Sequence, residues 1–249
     1  MNRDCILSHL YLRAVLPAME DLLRFSTEAR EWTREWKCTI KMSVWGGARG
    51  ALKFREGTAQ SRINASSDIH LVFFTPAQLN SAFENKKSLP PIPWGNPFYW
   101  KKLCVFQKLT ELLQSYLKPS ASALRENAFL RAHAVMLLHV LMRAVAIVGE
   151  LDPPDVLIPT GLAVVEIADI ESACWIRVQE GQFFFGLGVP SAEADVTISF
   201  ASPEIFLEAA GKQCDSHAAL GLGQIKVSGL IPFADALGLV MDKVGEYLV

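Results

Sequence analysis

Cysteine is scarce in this chain of 249 residues, and the five that occur, Cys5, Cys38, Cys104, Cys174 and Cys214, are odd in number and lack the paired spacing of a metal site. Most lie inside apolar runs, so they are expected to be small buried thiols in a reducing, cytoplasmic compartment, without disulfides. A secretory leader is not expected, since Arg3 and Asp4 precede a short apolar stretch that Arg13 interrupts. An uncharged run long enough to span a bilayer is also missing. In FLRAHAVMLLHVLMRAVAIV, residues 129–148, only eleven uncharged residues separate Arg131 from Arg143, against the roughly 20 that crossing requires. That segment is expected to be a well-buried helix.

Clustered basic residues are missing as well. Beyond Lys86-Lys87 and Lys101-Lys102 the cations are spread through the first half of the chain, so no nucleic-acid partner is expected. A catalytic signature is hard to find. Cys214, Asp215, Ser216 and His217 place a thiol, a carboxylate and an imidazole close in sequence, but in a loop that spacing guarantees no meeting of nucleophile and base. His133 and His139 are six apart on an expected helix, well round from each other, so they form no joint metal site. His9 and His70 look like ordinary polar-edge residues. GLGQIK at 221–226 has Lys226 where a phosphate cradle needs its third glycine, and GGARG at 46–50 fits a hairpin turn better than an anion nest. Neither an enzyme nor a cofactor or metal is expected.

What is present is a repeat. ADVTISFASP at 194–203 alternates, with Val196, Ile198 and Phe200 on one side and Asp195, Thr197 and Ser199 on the other, the period of a strand with one buried face. Ser202 and Pro203 then supply a helix cap and a first helical residue, with Phe206, Leu207 and Ala210 as the apolar face. SDIHLVFFTP at 67–76 is the same unit, and aligning Asp68 with Asp195 brings Pro76 onto Pro203 without a gap. LKFREG at 52–57 matches IRVQEG at 176–181, each a strand that can turn back at Glu-Gly. PIPWG at 91–95 matches IKVSG at 225–229, each before an amphipathic helix: Tyr99, Leu103, Phe106, Leu109, Leu113 and Tyr116 in the first, Phe233, Leu237, Val240, Val244 and Tyr247 in the second. Opening helices are expected around Ala18–Trp36 and Phe129–Val148. The chain therefore reads as two copies of a module of roughly 120 residues, an ordinary domain size.

Charge divides along the same line. Residues 1–119 carry 17 Lys plus Arg against 10 Asp plus Glu, or +7, and residues 120–249 carry 7 against 16, or −9, although the net charge is only −2. Two readings stay open: the halves dock on each other, or the basic half faces anionic lipid headgroups.

The order of features in the second copy resembles the sterol carrier protein 2 family: a strand ending in Glu-Gly, a second strand, ADVTISFASPEIF, a short helix closed by Gly211-Lys212, then ALGLGQIKVSG and a last amphipathic helix. The resemblance covers about residues 160–248 well, and 37–117 looks like a diverged version in which Pro90, Pro91 and Pro93 should leave the edge strand short, frayed or lost. It implies an α+β fold with two modules, 1–119 diverged and 120–249 closer to the family. Each would have a mostly antiparallel sheet of about five strands covered by helices, with an apolar tunnel between the layers. In the second copy the implied tunnel residues are Val196, Ile198, Phe200, Phe206, Phe233, Leu237, Val240 and Met241. Phe183, Phe184 and Phe185 put rings on both faces of one strand, so at least one should meet something other than its own core. The implied partner is an apolar small molecule, a sterol, fatty acyl or isoprenoid chain, with an anionic membrane surface as a transient partner. Three functions fit: a lipid carrier without chemistry of its own, an accessory factor holding a lipid intermediate for a biosynthetic enzyme, or a ligand-free structural protein with filled cores.

Overall fold

Segments with period-two alternation become strands, and Ser-Pro or Thr-Pro steps start the helices that follow them. The computed structural model describes residues 2–63, 65–211 and 215–248, leaving out the side chains of 216 and 217. The chain divides into two units, Met1–Lys118 and Pro119–Val249.

In the first unit α1 (Arg3–Leu10) begins at Asn2, whose side chain accepts the Asp4 N–H. It runs into a π-helical turn, Tyr11–Val15, and a 3-10 turn at Pro17 before α2 (Met19–Phe25) and α3 (Thr27–Thr33). The single helix expected from Ala18 to Trp36 is thus broken at Ser26, whose extended backbone and hydroxyl cap α3. Strands β1 (Lys37–Val44), β2 (Arg49–Arg55), β3 (Thr58–Arg62) and β4 (Ile69–Phe73) follow, then α4 (Pro76–Phe83), β5 (Ile92–Gly95) and α5 (Lys101–Leu117). The sheet order is β3-β2-β1-β4-β5, with β1 and β4 parallel and the other pairs antiparallel. Despite its prolines β5 is paired, with Pro93 opposite Leu71, but it is only four residues long. As the outermost strand it can leave the missing N–H of Pro93 unused.

The second unit opens with one unbroken helix, α6 (Asn127–Leu151), 25 residues long. By length and composition α6 could cross a membrane, yet 78% of its most apolar window is packed inside the protein. Then come β6 (Gly161–Ile167), β7 (Ser172–Gln179), β8 (Gln182–Leu187), β9 (Val196–Phe200), α7 (Pro203–Ala210), α8 (Ser216–Gly221), β10 (Ile225–Gly229) and α9 (Ile231–Leu248). Its sheet order, β10-β9-β6-β7-β8, is that of the first unit, again with one parallel pair, β6 and β9. The fold class is α+β: two five-stranded mixed sheets, each with helices.

The two units agree atom by atom where the sequence repeats. Asp68 Oδ2 accepts the Thr39 N–H at 2.7 Å, and Asp195 Oδ2 accepts the Leu162 N–H at 2.7 Å. The hairpins turn on Glu56-Gly57 and Glu180-Gly181, all four residues at positive φ. Thr75 caps α4 and Ser202 caps α7. Gly95 and Gly229, at φ +124 and +96, bring their Cα atoms against the carbonyls of Asp68 and Asp195, where no Cβ fits.

Candidate functional site

The inward face of the second sheet lies beneath α9, which packs on β9, β10 and β6, and α7, which packs on β9 and α6. The register places Ile198 beside Val165 on β6 and Val227 on β10, and Phe200 beside Ile167 and Ile225. All of these are apolar. Phe200 meets Phe206 edge-on, centroids 5.3 Å apart at 77°. Phe233, Leu237 and Val240 are fully buried from α9, as are Val196 and Phe206.

Burial is uneven across this face. Val196 is sealed, whereas Ile198, Phe200, Val227 and Met241 are only half-buried. In the first unit the equivalent strand β4 buries all three inward residues, Ile69, Leu71 and Phe73. The helical layer therefore covers β4 completely and leaves the β9–β10 side of the second sheet partly open. Leu220, Leu222, Leu230 and Ile231 lie exposed near that side, on α8, on the turn before β10 and at the start of α9. Val227 and this leucine-rich rim were not singled out from the sequence. The alternation of Ile225 and Val227 in IKVSG was the available signal for the first.

The far end of α9 is anchored by polar contacts. Tyr247 Oη donates to Asp152 Oδ2 at 2.7 Å and Lys243 Nζ pairs with it at 2.9 Å, just beyond the end of α6. The tyrosine hydrogen bond first, and Lys243 second, hold the Asp152 carboxyl below its ordinary value. The eight residues of the expected site are all apolar, which suits an apolar chain.

The other candidates are elsewhere. Phe183 is buried against Gly149 of α6, Phe185 lies under the Arg143 guanidinium, 5.3 Å from ring centroid to Cζ, and Phe184 points from the other sheet face, 46% exposed. His133 and His139 are both buried on α6, and among the described residues no three His, Cys, Asp or Glu side chains gather to hold a metal. Cys214 and the His217 side chain lie outside the described residues, as does Lys212. GLGQIK leads straight into β10, and GGARG forms the β1–β2 hairpin turn. In the first unit a cavity of about 300 Å³ is lined by Lys37, Cys38, Thr39, Lys53, Phe54, Arg55 and Asp68. Burial pushes the Cys38 thiol up more than Lys102 pulls it down, so it is no activated nucleophile. His70, on β4, lies 2.7 Å from the Ser43 hydroxyl of β1.

No protein-family model matches the chain, and no curated protein matches it in sequence. Solved structures do. Sterol carrier protein 2-like 2 from Aedes aegypti is 25% identical, over 41% of this chain and 94% of that one, with a TM-score of 0.32. The palmitated form of that carrier is 24% identical, over 41% and 90%, with a TM-score of 0.33. A stereoselective inverting sec-alkylsulfatase from Pseudomonas sp. is 16% identical, over 57% of this chain and 28% of that one, with a TM-score of 0.32. The two carrier structures bear the name of the family that the residue pattern resembles.

Proposed function

We propose that the protein is a non-catalytic carrier, built from a duplicated module, whose C-terminal unit holds the apolar chain of a lipid between β9–β10 and the helices α7 and α9. The contacts are Val196, Ile198, Phe200, Phe206, Phe233, Leu237, Val240 and Met241. One observation carries this reading: Ile198 and Phe200 are half-buried on the inward face, where Leu71 and Phe73 of the matching strand are sealed. Apolar surface left in water costs about 25 cal/mol per Å², and an acyl, sterol or isoprenoid chain lying on these residues would remove that cost.

The test is native mass spectrometry of protein purified from cells, with displacement of a fluorescent fatty acid as a second readout. Wild type should carry a lipid. Ile198→Trp, which fills the half-open face without adding charge, should lower probe binding about tenfold or more, since a methylene-scale mismatch alone costs 10-fold or so in an apolar pocket. Leu237→Asp should cost more binding than Leu109→Asp in protein whose circular dichroism is intact, a necessary check because an unpaired buried charge costs several kcal/mol. Wild type that neither carries lipid nor binds the probe, or equal losses at Leu237 and Leu109, would overturn the assignment.

A further inference from the structure

Strand pairing in the first unit gathers cations that are far apart in sequence. Lys37 lies opposite Arg55, Thr39 opposite Lys53 and Ser43 opposite Arg49 across β1 and β2, and Ala51, the partner of Lys41, lies opposite Arg62 on β3. Cross-strand partners share a face. Lys37, Lys41, Arg49, Lys53, Arg55 and Arg62 therefore all stand on the outward face of the sheet, and no strand position on that face carries a carboxylate. Among the described residues one of the six, Lys37, has an ion-pair partner, Glu56 at 3.0 Å. The cavity of about 300 Å³ opens among Lys37, Lys53 and Arg55, with the Asp68 carboxylate, held by the Thr39 N–H just before β4, also in its lining.

The fold does not require this charge. The second sheet has the same topology, and its outward positions carry Arg177 and Lys226 together with Glu166. The basic face belongs to the first unit alone.

An apolar tip adjoins it. The Trp45 N–H donates to the Phe73 carbonyl at 2.8 Å, the Phe74 N–H to Gln78 Oε1 at 2.7 Å, and Gln78 Nε2 to the Leu89 carbonyl at 3.0 Å. These bonds hold Trp45, Phe74 and Leu89 together where β1 and β4 end, 74%, 53% and 76% exposed. Lys86 and Lys87 precede Leu89, and Arg49 follows the turn that carries Trp45.

We propose that this face and tip form a docking surface for an anionic lipid bilayer. The cations of β1–β3 meet the headgroup phosphates and carboxylates, and Trp45, Phe74 and Leu89 enter the interfacial zone, where aromatic side chains with flanking cations are favoured. A nucleic-acid duplex presents phosphate outward and would leave Phe74 and Leu89 in water. A bilayer satisfies both halves of the surface. The inference does not depend on whether the C-terminal unit holds a lipid.

Sedimentation of the full-length protein with phosphatidylcholine vesicles, with and without phosphatidylserine, tests it. Binding should require phosphatidylserine and fall with added salt, because exposed charges are screened beyond about 10 Å at 0.1 M. The fourfold variant Arg49→Gln, Lys53→Gln, Arg55→Gln, Arg62→Gln changes only exposed side chains and should weaken binding about tenfold or more. Trp45→Ala with Leu89→Ser should weaken it while keeping the salt dependence, and Lys226→Gln in the other unit should leave it unchanged. Circular dichroism verifies the fold of each variant. Absence of wild-type binding to phosphatidylserine vesicles, wild-type binding by the fourfold variant, or tighter binding of an RNA oligonucleotide than of vesicles through the same four cations would each overturn the proposal.

Discussion

Asp68 and Asp195 each do with one carboxylate what a turn does with several residues. Each accepts a backbone N–H, of Thr39 or Leu162, and so fastens the open end of a parallel strand pair that no short loop could close. The glycines facing them, Gly95 and Gly229, let the next strand pass against the same aspartate's carbonyl. Tyr11 is a residue of a different kind. Its ring stacks on Phe83 with centroids 4.7 Å apart, and its hydroxyl donates to Glu84 Oε1 at 3.4 Å. Burial first, and then the Glu84 charge and hydrogen bond, push its hydroxyl from the ordinary 10.0 up to about 12. A group whose pKa rises on folding stabilises the fold in its protonated form. Its contribution is complete below pH 10.0 and disappears as the pH rises to about 12. Thermal unfolding followed from pH 9 to about 12 should show a falling midpoint that Tyr11→Phe makes shallower. An absorbance titration should show one tyrosine ionising late in wild type and absent from the variant.

At the scale of elements, the contact of α6 with β8 is set by a missing side chain. A Cβ on Gly149 would stand 2.5 Å from the Phe183 ring, which is itself buried, and two residues on Phe185 meets the Arg143 guanidinium of the same helix. Exchanging glycine for alanine inside a helix ordinarily gains about 1 kcal/mol. Forcing a methyl into a packed ring costs about 1–3 kcal/mol, so the packing term should win. Gly149→Ala is expected to lower stability by up to about 2 kcal/mol in urea unfolding. Adding Phe183→Leu should restore part of that loss by making room, and a gain in stability from Gly149→Ala alone would show that the ring yields freely. The same contact accounts for two of the three successive aromatics of β8. Phe183 and Phe185 share the helix-facing side, and Phe184 stands on the other.

At the scale of the molecule, the two units each contain their own sheet, opening helices and closing helix, and every strand ladder lies within one unit. Each is of ordinary domain size. A protease site introduced between Pro119 and Ser120 should therefore yield two fragments that each keep strand and helix signals in circular dichroism and melt cooperatively. A fragment that emerges unfolded would mean that the fold of that unit depends on the other. The proposed division of labour follows the same boundary. The sealed unit with the basic outward face is assigned the docking surface, and the unit with the half-open inward face is assigned the lipid chain.

The sequence alone determined the elements whose causes are local. Alternation sets the strands, Ser-Pro and Thr-Pro set the starts of α7 and α4, Glu-Gly sets two hairpins, and the spacing from Asp68 and Asp195 carries the repeat. Each needs only neighbours a few residues apart. It also showed the prolines at 90, 91 and 93, and the strand there, expected to be short, frayed or lost, is short but paired with β4. Tertiary structure decided two things. Whether Ile198 and Phe200 are sealed depends on how far α7 and α9 reach over β9 and β10, and the same alternating pattern in β4 is sealed completely. The basic surface was visible in the sequence only as an excess of +7 without a cluster. Its six cations lie on three strands at alternate positions, and only antiparallel pairing, which stacks those positions side by side about 5 Å apart, turns a scattered charge into a face.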